Sequence, residues 1–350
     1  MFYKVLGLMS GTSLDGLDIA YCEFELKEGK WHYQIKQAET ISYSSDIVQM
    51  LLSCENSSGE TLSFADYYVG RLFGQYARKF LDKHNLSVDF IASHGQTIFH
   101  QPSKGFTTQI GNISALSVES RCTVVGDFRA MDVALGGQGA PLVPIGDEIL
   151  FGEYPCCLNL GGFSNISYNE NSKRIAYDIC PVNMVMNHLA NMLGKPYDKD
   201  GEIAKKGKID ETLLSTLNSI PYYANHTKAS LGKEWVNQYV FPLVDYSYLS
   251  VEDIMATYLE HVTIQIANNL KGDTLLTGGG AHNAYLVEKL REKTNYKIIV
   301  PDNLTIDFKE ALIFAFLGLK RMRGEVNCLA SVTGAKQDSC SGLVAVWNNV

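Results

Sequence analysis

The chain opens with two apolar runs that a short polar segment separates. Residues 3–7 and 17–24 consist mainly of aliphatic and aromatic side chains, which is the pattern of buried strands. Residues 31–44 extend this strand pattern. Serine, glycine and aspartate dominate the segment between the first two runs. The chain therefore predicts a strand, a small-residue hairpin and a second strand at its start.

Later apolar patterns alternate between short strands and longer helices. The other predicted strands cover 88–92, 122–125, 156–160, 166–168, 174–177, 274–276, 298–300 and 342–347. The predicted helices cover 61–84, 183–193, a stripe from a cap at Ser250 to 266, a segment that follows the glycine turn 277–283 and ends at about 294, and 309–323. Such alternation predicts an α/β fold.

The strand–hairpin–strand pattern occurs twice, because residues 156–168 repeat it with Gly161 and Gly162 at the turn. This repeat predicts a duplicated fold. We expect one domain of residues 1–130 plus about 330–350 and a second domain of residues 131–329, packed around a cleft. The glycine-dense segment 135–141 is expected to be an interdomain or ligand-covering loop.

The first hairpin has the composition of a nucleotide-binding loop. Its small residues, Gly11, Thr12, Ser13 and Gly16 among them, let backbone and hydroxyl donors approach an anion closely. Two carboxylates in the same segment would repel a bare phosphate, but they fit a divalent cation that stands between carboxylate and phosphate. An ordinary β-hairpin is the alternative. The segment is neither a Walker loop nor a dinucleotide fingerprint, since the latter needs a helix after its glycines.

The residues that this prediction assigns to the magnesium nucleotide are Gly11, Thr12, Ser13, Leu14, Asp15, Gly16, Leu17 and Asp18, with Asp15 and Asp18 reaching Mg²⁺. A second cluster, Gly278, Gly279, Gly280 and Asn283, lies between a predicted strand and a predicted helix. Helix amide groups can hold an anion, and consecutive glycines let a flat adenine or ribose lie against the backbone. We therefore expect the nucleoside there, with Gly161 and Gly162 as further nucleotide contacts.

Composition limits the possible partners and compartment. The net charge of −8 argues against general binding to nucleic acid or to an anionic membrane. Eight cysteines without a Cys-x-x-Cys pair predict reduced thiols in the cytoplasm rather than a zinc site or disulfides. We expect no signal peptide, because Lys4 interrupts the first apolar run, and no segment approaches the ~20 apolar residues of a membrane span.

Several motifs together resemble one family. They are MSGTSLDGLD at 9–18, HGQT at 94–97, VVGDFR at 124–129, ALGGQGAPLVP at 134–144, GKPYDKD at 194–200 and SVTGA at 331–335. Spread over nearly the whole chain, they resemble the anhydro-N-acetylmuramic acid kinase family of the actin/Hsp70/sugar-kinase superfamily. The resemblance implies a two-domain actin-like ATPase fold, a duplicated ribonuclease H-like α/β fold with a central interdomain cleft. It also implies a homodimer.

The resemblance further implies a reaction in peptidoglycan recycling. ATP and water convert 1,6-anhydro-N-acetylmuramic acid to N-acetylmuramic acid 6-phosphate and ADP, with Mg²⁺ neutralising phosphate charge. Asp178 is implied as the base that takes a proton from the attacking water. Ser13, His94, Arg129, Glu310 and Asp178 are implied as sugar contacts. Arg129 suits the lactyl carboxylate because its guanidinium can bind both oxygens.

The segment around Asp178 departs from the family pattern. The family commonly has Asp-Thr-Gly-Pro-Gly-Asn, whereas this chain has DICPVN at 178–183. Because this chain lacks the two glycines, the segment does not decide which sugar is the substrate. Asp178 has a second interpretation as the N-cap of the following helix. Cys180 is a lone thiol beside it, so a catalytic cysteine is a further alternative, although no histidine is obviously paired with that thiol.

The sequence leaves two other functions as alternatives. One is a kinase of a different amino sugar in the same superfamily, which the altered DICPVN segment motivates. The less favoured one is a nucleotide-driven chaperone or filament protein of the actin or Hsp70 type. Such proteins carry subdomain insertions or a peptide-binding domain, for which 350 residues leave no room.

Overall fold

The computed structural model describes residues 1–224, 230–245 and 248–348. Its strands are β1 Phe2–Ser10, β2 Gly16–Lys27, β3 Lys30–Ser42, β4 Phe90–Ser93, β5 Gln96–Gln101, β6 Phe106–Ile110, β7 Val124–Gly126, β8 Cys156–Leu160, β9 Phe163–Glu170, β10 Lys173–Pro181, β11 Thr274–Thr277, β12 Ile298–Ile299 and β13 Leu343–Ala345. Its helices are α1 Ser45–Ser53, α2 Gly59–Lys83, α3 Ile113–Ser120, α4 Ala130–Ala134, α5 Pro144–Leu150, α6 Asn183–Met192, α7 Glu211–Asn218, α8 Pro221–Ala224, α9 Lys233–Tyr239, α10 Phe241–Val244, α11 Val251–Asn269, α12 Ala284–Glu292, α13 Asn303–Met322 and α14 Ala330–Thr333.

The chain divides into two compact units. The first consists of Met1–Leu150 and Phe308–Val350, and the second of Phe151–Asp307. Residues 131–150 and 308–329, which the sequence pattern assigned to the second domain, therefore group with the first. The reason is close packing of α13 on the first sheet. A methyl group on Gly7 of β1 would lie 2.0 Å from the carbonyl oxygen of Ala311, so helix and strand are in direct backbone contact.

An ion pair also joins the two reassigned segments to each other. The ammonium of Lys309 lies 2.7 Å from the carboxylate of Asp147, and both side chains are 5% exposed. A buried pair of this kind holds its two segments together, because separating the charges would leave each without compensation.

The sheet of the first unit has the strand order β13-β7-β4-β1-β2-β3. Strands β1, β2 and β3 form an antiparallel meander. Strand β4 runs parallel to β1, and β7 runs parallel to β4. The antiparallel strand β13 closes the edge beside β7. Helices α2 and α3 pack on each other, since a methyl on Gly70 would lie 2.5 Å from the carbonyl oxygen of Asn112.

The sheet of the second unit has the strand order β10-β9-β8-β11-β12. Strands β8, β9 and β10 are antiparallel, β11 is parallel to β8, and β12 is parallel to β11. Both sheets thus have a three-stranded meander whose first strand is followed, on its other side, by two parallel strands. This is the ribonuclease H-like order, and its presence in both units confirms the predicted duplicated α/β fold of actin-like ATPases.

The core of the second unit forms mainly around α11. Met255, Tyr258 and Val262 are fully buried, as their helical spacing predicts. The hydroxyl of Ser250 accepts a hydrogen bond from the Asp253 amide at 3.2 Å, which confirms the predicted cap. In the described parts of the chain, no helix has the length and hydropathy that a membrane span requires.

The glycine-dense loop 135–141 is held inside the first unit. The amide of Gly139 donates to the buried Asp132 carboxylate at 2.7 Å, and the amide of Gln138 donates to the Thr333 carbonyl at 2.8 Å. Thr333 also donates its hydroxyl to Asp132 at 2.7 Å. These bonds connect the loop to α4 and α14, two short helices that the sequence pattern did not predict.

Candidate functional site

The hairpin between β1 and β2 exposes a small group of polar side chains. The amide of Leu14 donates to the Gly11 carbonyl at 3.3 Å, and Leu14 has a φ of 59°. This tight turn leaves Thr12, Ser13 and Asp15 exposed to solvent. The loop can therefore offer two hydroxyl groups and a carboxylate to a ligand, as the sequence predicts.

Three other residues of the predicted nucleotide segment have structural roles. A methyl on Gly16 would lie 2.5 Å from the Ile41 carbonyl oxygen, so glycine is required there by the approach of β3. Leu17 is fully buried, and Leu14 packs against the same core. The side chains of Leu14 and Leu17 therefore face the protein rather than a nucleotide.

The two carboxylates of this hairpin fit the donor chemistry of Mg²⁺. Asp15 lies at the tip, while Asp18 lies in β2 and accepts a hydrogen bond from the Thr40 hydroxyl at 2.5 Å. In residues 1–224, 230–245 and 248–348, no group of three or more metal-ligating side chains forms a cluster. Two carboxylates suffice for Mg²⁺, which keeps several waters and takes its remaining ligands from phosphate oxygens.

A buried polar network supports the base of this hairpin. The Ser10 hydroxyl donates to the Gln96 side-chain oxygen at 2.5 Å and lies 2.6 Å from the Tyr43 hydroxyl. Burial raises the pKa of Tyr43, so its hydroxyl stays protonated at neutral pH. The network connects the end of β1 to the start of β5 and fixes the position from which the hairpin extends. Sequence reasoning missed it, although Ser10 and Gln96 belong to quoted motifs.

His94, Arg129 and Glu310, which were predicted as sugar contacts, lie in the same unit. Arg129 donates from Nε and Nη2 to His94 Nε2 at 3.1 and 2.9 Å, and from Nη1 to the Gly139 carbonyl at 2.6 Å. Because arginine can only donate, His94 accepts through Nε2 and carries its proton on Nδ1, which lies 2.8 Å from the Gly95 carbonyl. Three of the five N–H groups of Arg129 are thereby used.

Burial sets the charges of these three groups. Burial and the nearby Arg129 lower the pKa of His94 to about 3, so the imidazole is neutral. Burial lowers the pKa of Arg129 to about 10, which leaves the guanidinium positive at neutral pH. Burial raises the pKa of Glu310, although Arg129 and Lys309 oppose the shift. The cluster thus presents a cation beside a neutral imidazole, a combination that suits a carboxylate or hydroxyl ligand.

The glycine turn of the second unit is joined to the helix that follows β10. Gly161 and Gly162 accept hydrogen bonds through their carbonyls from the amides of Asn183 and Val182, at 3.2 and 2.8 Å. Gly162 is exposed, and a methyl group there would contact only the end of Met184 at 3.9 Å. The turn therefore has open space above it, as a ligand-binding loop needs.

Asp178 lies inside β10 rather than at a strand end, which corrects the sequence prediction. It pairs with Asn165 of β9, and the register shifts between Asp178 and Cys180, which marks a β-bulge. Its Oδ2 accepts a hydrogen bond from the Leu231 amide at 2.8 Å, and its carbonyl accepts one from the Tyr222 hydroxyl at 2.5 Å. Burial raises the pKa of Asp178 to about 6, which the Leu231 amide partly opposes.

The structure excludes both alternatives for this segment. The N-cap of α6 is Val182, so Asp178 does not cap the helix. Cys180 is fully buried, and its Sγ lies 3.2 Å from the Ser164 hydroxyl. Burial raises the pKa of the Cys180 thiol to about 12, so it is not a nucleophile at neutral pH.

The triple-glycine run forms a 3₁₀ turn, Gly279–His282, and the predicted helix follows it as α12, which begins at Ala284. Gly278 has a φ of 82°, and a methyl on Gly280 would lie 2.7 Å from the Leu160 side chain. The triple-glycine run therefore packs closely against the end of β8. At Gly279 a methyl would meet only the Asn183 amide at 3.8 Å, so this position faces open space.

The second unit contains a cavity of about 560 Å³ beside these glycines. It is lined by Asn183, Met186, Asn187, Tyr197, Asp198, Lys199, Asp200, Gly279, Gly280, His282 and Asn283. Its volume and its mixture of apolar and amide groups are typical of a small-molecule site. The motif at 194–200 contributes several lining residues that sequence reasoning left without a role.

Asn283 has a different role from the one predicted for its side chain. Its Oδ1 accepts a hydrogen bond from the Leu286 amide at 3.0 Å, as the N-cap of α12. Its Nδ2 donates to the Asp198 carbonyl at 3.3 Å. The amide is thus engaged by the protein, and it shapes the cavity wall by fixing the segment around Asp198.

Residues 3–346 match the family model described as anhydro-N-acetylmuramic acid kinase. The chain belongs to this family. The anhydro-N-acetylmuramic acid kinase of Shewanella pealeana is 34% identical, with 96% of this chain and 97% of that protein aligned. The one from Pseudomonas fluorescens is 36% identical, over 95% and 96% of the two chains. The anhydro-N-acetylmuramic acid kinase family consists of sugar kinases, so this chain is an enzyme that uses ATP to phosphorylate a sugar.

A solved structure, the activator of 2-hydroxyisocaproyl-CoA dehydratase from Clostridium difficile with bound ADPNP, is 16% identical at a TM-score of 0.44, covering 91% of this chain and 97% of that one. The strand order of the two sheets shows the fold. Membership of the anhydro-N-acetylmuramic acid kinase family leaves no support for the chaperone or filament alternative.

Proposed function

We propose that the enzyme uses ATP and water to convert 1,6-anhydro-N-acetylmuramic acid to N-acetylmuramic acid 6-phosphate and ADP, in peptidoglycan recycling. Family membership supports the substrate class. The observation that carries the hydrolytic half of the reaction is the setting of Asp178. Its carboxylate has one backbone donor at 2.8 Å, and its pKa of about 6 makes it a proton acceptor at neutral pH.

In the proposed reaction, water attacks C1 of the sugar while Asp178 takes one of its protons. The C1–O6 bond breaks, and O6 keeps the electron pair and accepts the γ-phosphoryl group. ADP leaves with the electrons of the broken P–O bond, and Asp178 later returns its proton to solvent. A base on the face opposite the leaving oxygen is the arrangement of inverting sugar hydrolysis.

The nucleotide is proposed to use groups of both glycine hairpins. The cavity of about 560 Å³ would hold the nucleoside, with Gly279 and Gly280 against its flat face. Gly161 and Gly162 are proposed as further contacts. Gly11, Thr12 and Ser13 would donate to the β- and γ-phosphates, and Asp15 and Asp18 would hold Mg²⁺ through its waters. Bound Mg²⁺ neutralises phosphate charge in phosphoryl transfer.

The sugar is proposed to contact Ser13, His94, Arg129, Glu310 and Asp178. Arg129 keeps two N–H groups beyond its bonds to His94 and Gly139, and these suit the lactyl carboxylate. His94 orients the guanidinium by accepting two of its bonds. Glu310 offers a carboxyl group to a sugar hydroxyl.

The unusual DICPVN segment does not by itself favour another sugar. Ile179, Cys180 and Val182 are at most 2% exposed, and all three belong to the core of the second unit. The substitutions relative to the family pattern thus point their side chains into the protein. We infer that they alter packing behind Asp178 rather than the sugar-binding surface.

A product assay in ¹⁸O water tests the proposal. The enzyme is incubated with Mg-ATP and the anhydro sugar, and the product is analysed for a 6-phosphate and for label at C1. Label at C1 together with ADP is the expected result. Turnover of N-acetylmuramic acid or N-acetylglucosamine, but not of the anhydro sugar, would support the different-amino-sugar alternative and reject the proposal.

We also propose that the enzyme is a cytoplasmic homodimer that does not bind nucleic acid. The eight cysteines are all free, which fits a reducing compartment. The net charge of −8 disfavours nucleic acid. Light scattering at several protein concentrations tests the dimer, and a constant monomer mass would reject it.

A further inference from the structure

Asp178 lies on a strand that the sheet itself holds on one side only. β10 is the edge of its sheet, so among the residues that the structure describes its outward-pointing main-chain groups have no ladder partner. The bulge between Asp178 and Cys180 interrupts the ladder further at this position. A base that must be placed within a fraction of an ångström therefore lies where the sheet constrains the backbone least.

Packing is also incomplete on one side of this edge. A cavity of about 220 Å³ adjoins this edge. Its lining includes Asp178, Tyr222, Tyr223, Gln265 and Asn269. On the side that faces this cavity Asp178 has few close contacts, so its hydrogen bonds help to decide where its carboxylate and carbonyl lie.

Two donors from outside the sheet bind the two polar ends of this residue. The Tyr222 hydroxyl donates to the Asp178 carbonyl at 2.5 Å, and the Leu231 amide donates to its carboxylate at 2.8 Å. The donors are themselves connected, because the ring of Tyr222 in α8 packs edge-on against Trp235 of α9 at 5.4 Å. Leu231 lies just before α9, whose N-cap is Gly232.

We propose that Tyr222 and the Leu231 amide are positioning groups, which fix the backbone and the carboxylate of Asp178 so that it can take the proton of the attacking water. This inference rests on the proposed role of Asp178 as the base. The Tyr222 hydroxyl gives the Asp178 carbonyl a hydrogen bond of the kind that a neighbouring strand would donate, and the Leu231 amide orients the carboxylate. Other titratable groups that line the adjoining cavity are Tyr168, Glu170, Tyr177, Tyr223 and Lys271.

The neighbouring Tyr223 provides a matched control. It belongs to the same aromatic group, with its ring 5.6 Å from that of Tyr222 and 6.1 Å from that of Trp235. Its hydroxyl is buried and has no hydrogen-bond partner among the residues that the structure describes. Tyr223→Phe therefore removes the same atom as Tyr222→Phe without removing a bond to Asp178.

The first experiment compares steady-state kinetics of Tyr222→Phe and Tyr223→Phe with the anhydro sugar. We expect Tyr222→Phe to lower kcat about 10-fold or more, since small misplacements of a reacting group can cost ~100-fold, with KM for ATP unchanged. Tyr223→Phe should keep the parent kcat within about two-fold. Equal kcat values for the two variants would overturn the role of Tyr222.

The second experiment isolates the Leu231 amide. Leu231→Pro removes the N–H, whereas Leu231→Ala keeps it. Because the N–H stabilises the charged carboxylate, its loss should raise the pKa of Asp178 and move the acid limb of the kcat–pH profile upward by about one pH unit. Identical profiles for the two variants would overturn the role of Leu231. If Tyr222→Phe does not fold, the two Leu231 variants decide the proposal. If Leu231→Pro does not fold, the two tyrosine variants decide it.

Asp178→Asn separates this inference from the proposed function. If Asp178→Asn retains near-parent activity, the assignment of the base is wrong and the positioning proposal fails with it. If Asp178→Asn is inactive while the tyrosine pair and the Leu231 pair each give equal values, only the positioning proposal fails.

Discussion

At the base of each hairpin, three residues pair side by side across the three antiparallel strands and form a row. The two rows occupy equivalent positions, but the carboxylate lies on a different strand in each. In the first unit the row is Met9, Asp18 and Thr40, across β1, β2 and β3. The Asp18 carboxylate lies on the central strand of the meander and accepts a hydrogen bond from the Thr40 hydroxyl at 2.5 Å. Beyond it the hairpin extends to the exposed residues Ser13 and Asp15.

In the second unit the corresponding row is Asn159, Asn165 and Asp178, across β8, β9 and β10. Here the carboxylate lies on the edge strand at a bulge, and the hairpin beyond it is shortened to Gly161 and Gly162. Burial raises the pKa of Asp178 to about 6. The duplicated fold places a row of three paired residues in each unit. The two rows differ in the strand that carries the acid: Asp18 on the central strand is proposed to face the metal, and Asp178 on the edge strand is proposed to be the base.

The largest expected effect comes from removing the acid of the second row. Asp178→Asn keeps the size of the side chain but cannot accept the proton of water. We expect kcat to fall by ~10² to 10⁴-fold, the usual contribution of a general base, with ATP affinity retained. Kinetics and nucleotide titration measure this. Glu292→Gln, a change at an exposed surface pair, is the control, and activity of Asp178→Asn within a few-fold of the parent would contradict the comparison.

Changing the acids of the first hairpin should have a smaller effect of a different kind. Asp15→Asn and Asp18→Asn should each raise the Mg²⁺ concentration for half-maximal activity, by about 10- to 100-fold, as expected for groups that act through metal-bound water. Magnesium titrations at saturating ATP measure the shift. Asp46→Asn, at an exposed position of α1, should leave the titration unchanged. An unshifted Mg²⁺ titration curve for both hairpin variants would show that Asp15 and Asp18 do not hold Mg²⁺.

Of the two rows, the second should determine the pH dependence of kcat. A base needs its deprotonated form, so a pKa of about 6 for Asp178 predicts activity that is lost as the pH falls below that value. At pH 5 kcat should be about 10-fold below its plateau. His94, whose pKa burial and Arg129 lower to about 3, contributes no limb in this range. A flat profile between pH 5 and 8 would mean that Asp178 does not act as the base.

The smallest expected effect concerns the cavity beside Gly279. Gly279→Ala adds a methyl group that meets only Asn183 at 3.8 Å, so folding should be unaffected while the cavity narrows. We expect KM for ATP to rise a few-fold with kcat unchanged. Gly59→Ala, where a methyl meets nothing within 4 Å, is the control. An unchanged KM for Gly279→Ala would place the nucleoside elsewhere.

Local patterns predicted most of the elements but not their partners. The runs at 3–7 and 17–24 lie inside β1 and β2, and the helix predicted over 309–323 lies almost wholly inside α13. Which sheet α13 packs on could not be predicted. Its contact with β1 depends on Gly7 meeting Ala311, two residues about three hundred positions apart. Periodicity reports that a helix face is apolar and says nothing about what covers it.

The candidate site divides in the same way. Thr12, Ser13 and Asp15 were predicted to face a ligand, and they are exposed because a tight turn between paired strands displays its tip. Gly16, Leu17 and Asn283 were predicted to bind the nucleotide, yet the protein uses them for strand contact, core packing and a helix cap. Composition cannot separate these uses, because glycine, leucine and asparagine serve both.

The sequence by itself determined the strands, the main helices, the two glycine hairpins and the acids near them, since these depend on neighbours within a few residues. Only the tertiary structure decided the surroundings of Asp178. Its raised pKa, its bulge on an edge strand and its bonds to Tyr222 and Leu231, which lie 44 and 53 positions away, follow from burial and pairing between distant segments. Burial and long-range hydrogen bonds form when the chain folds, and no local pattern encodes them.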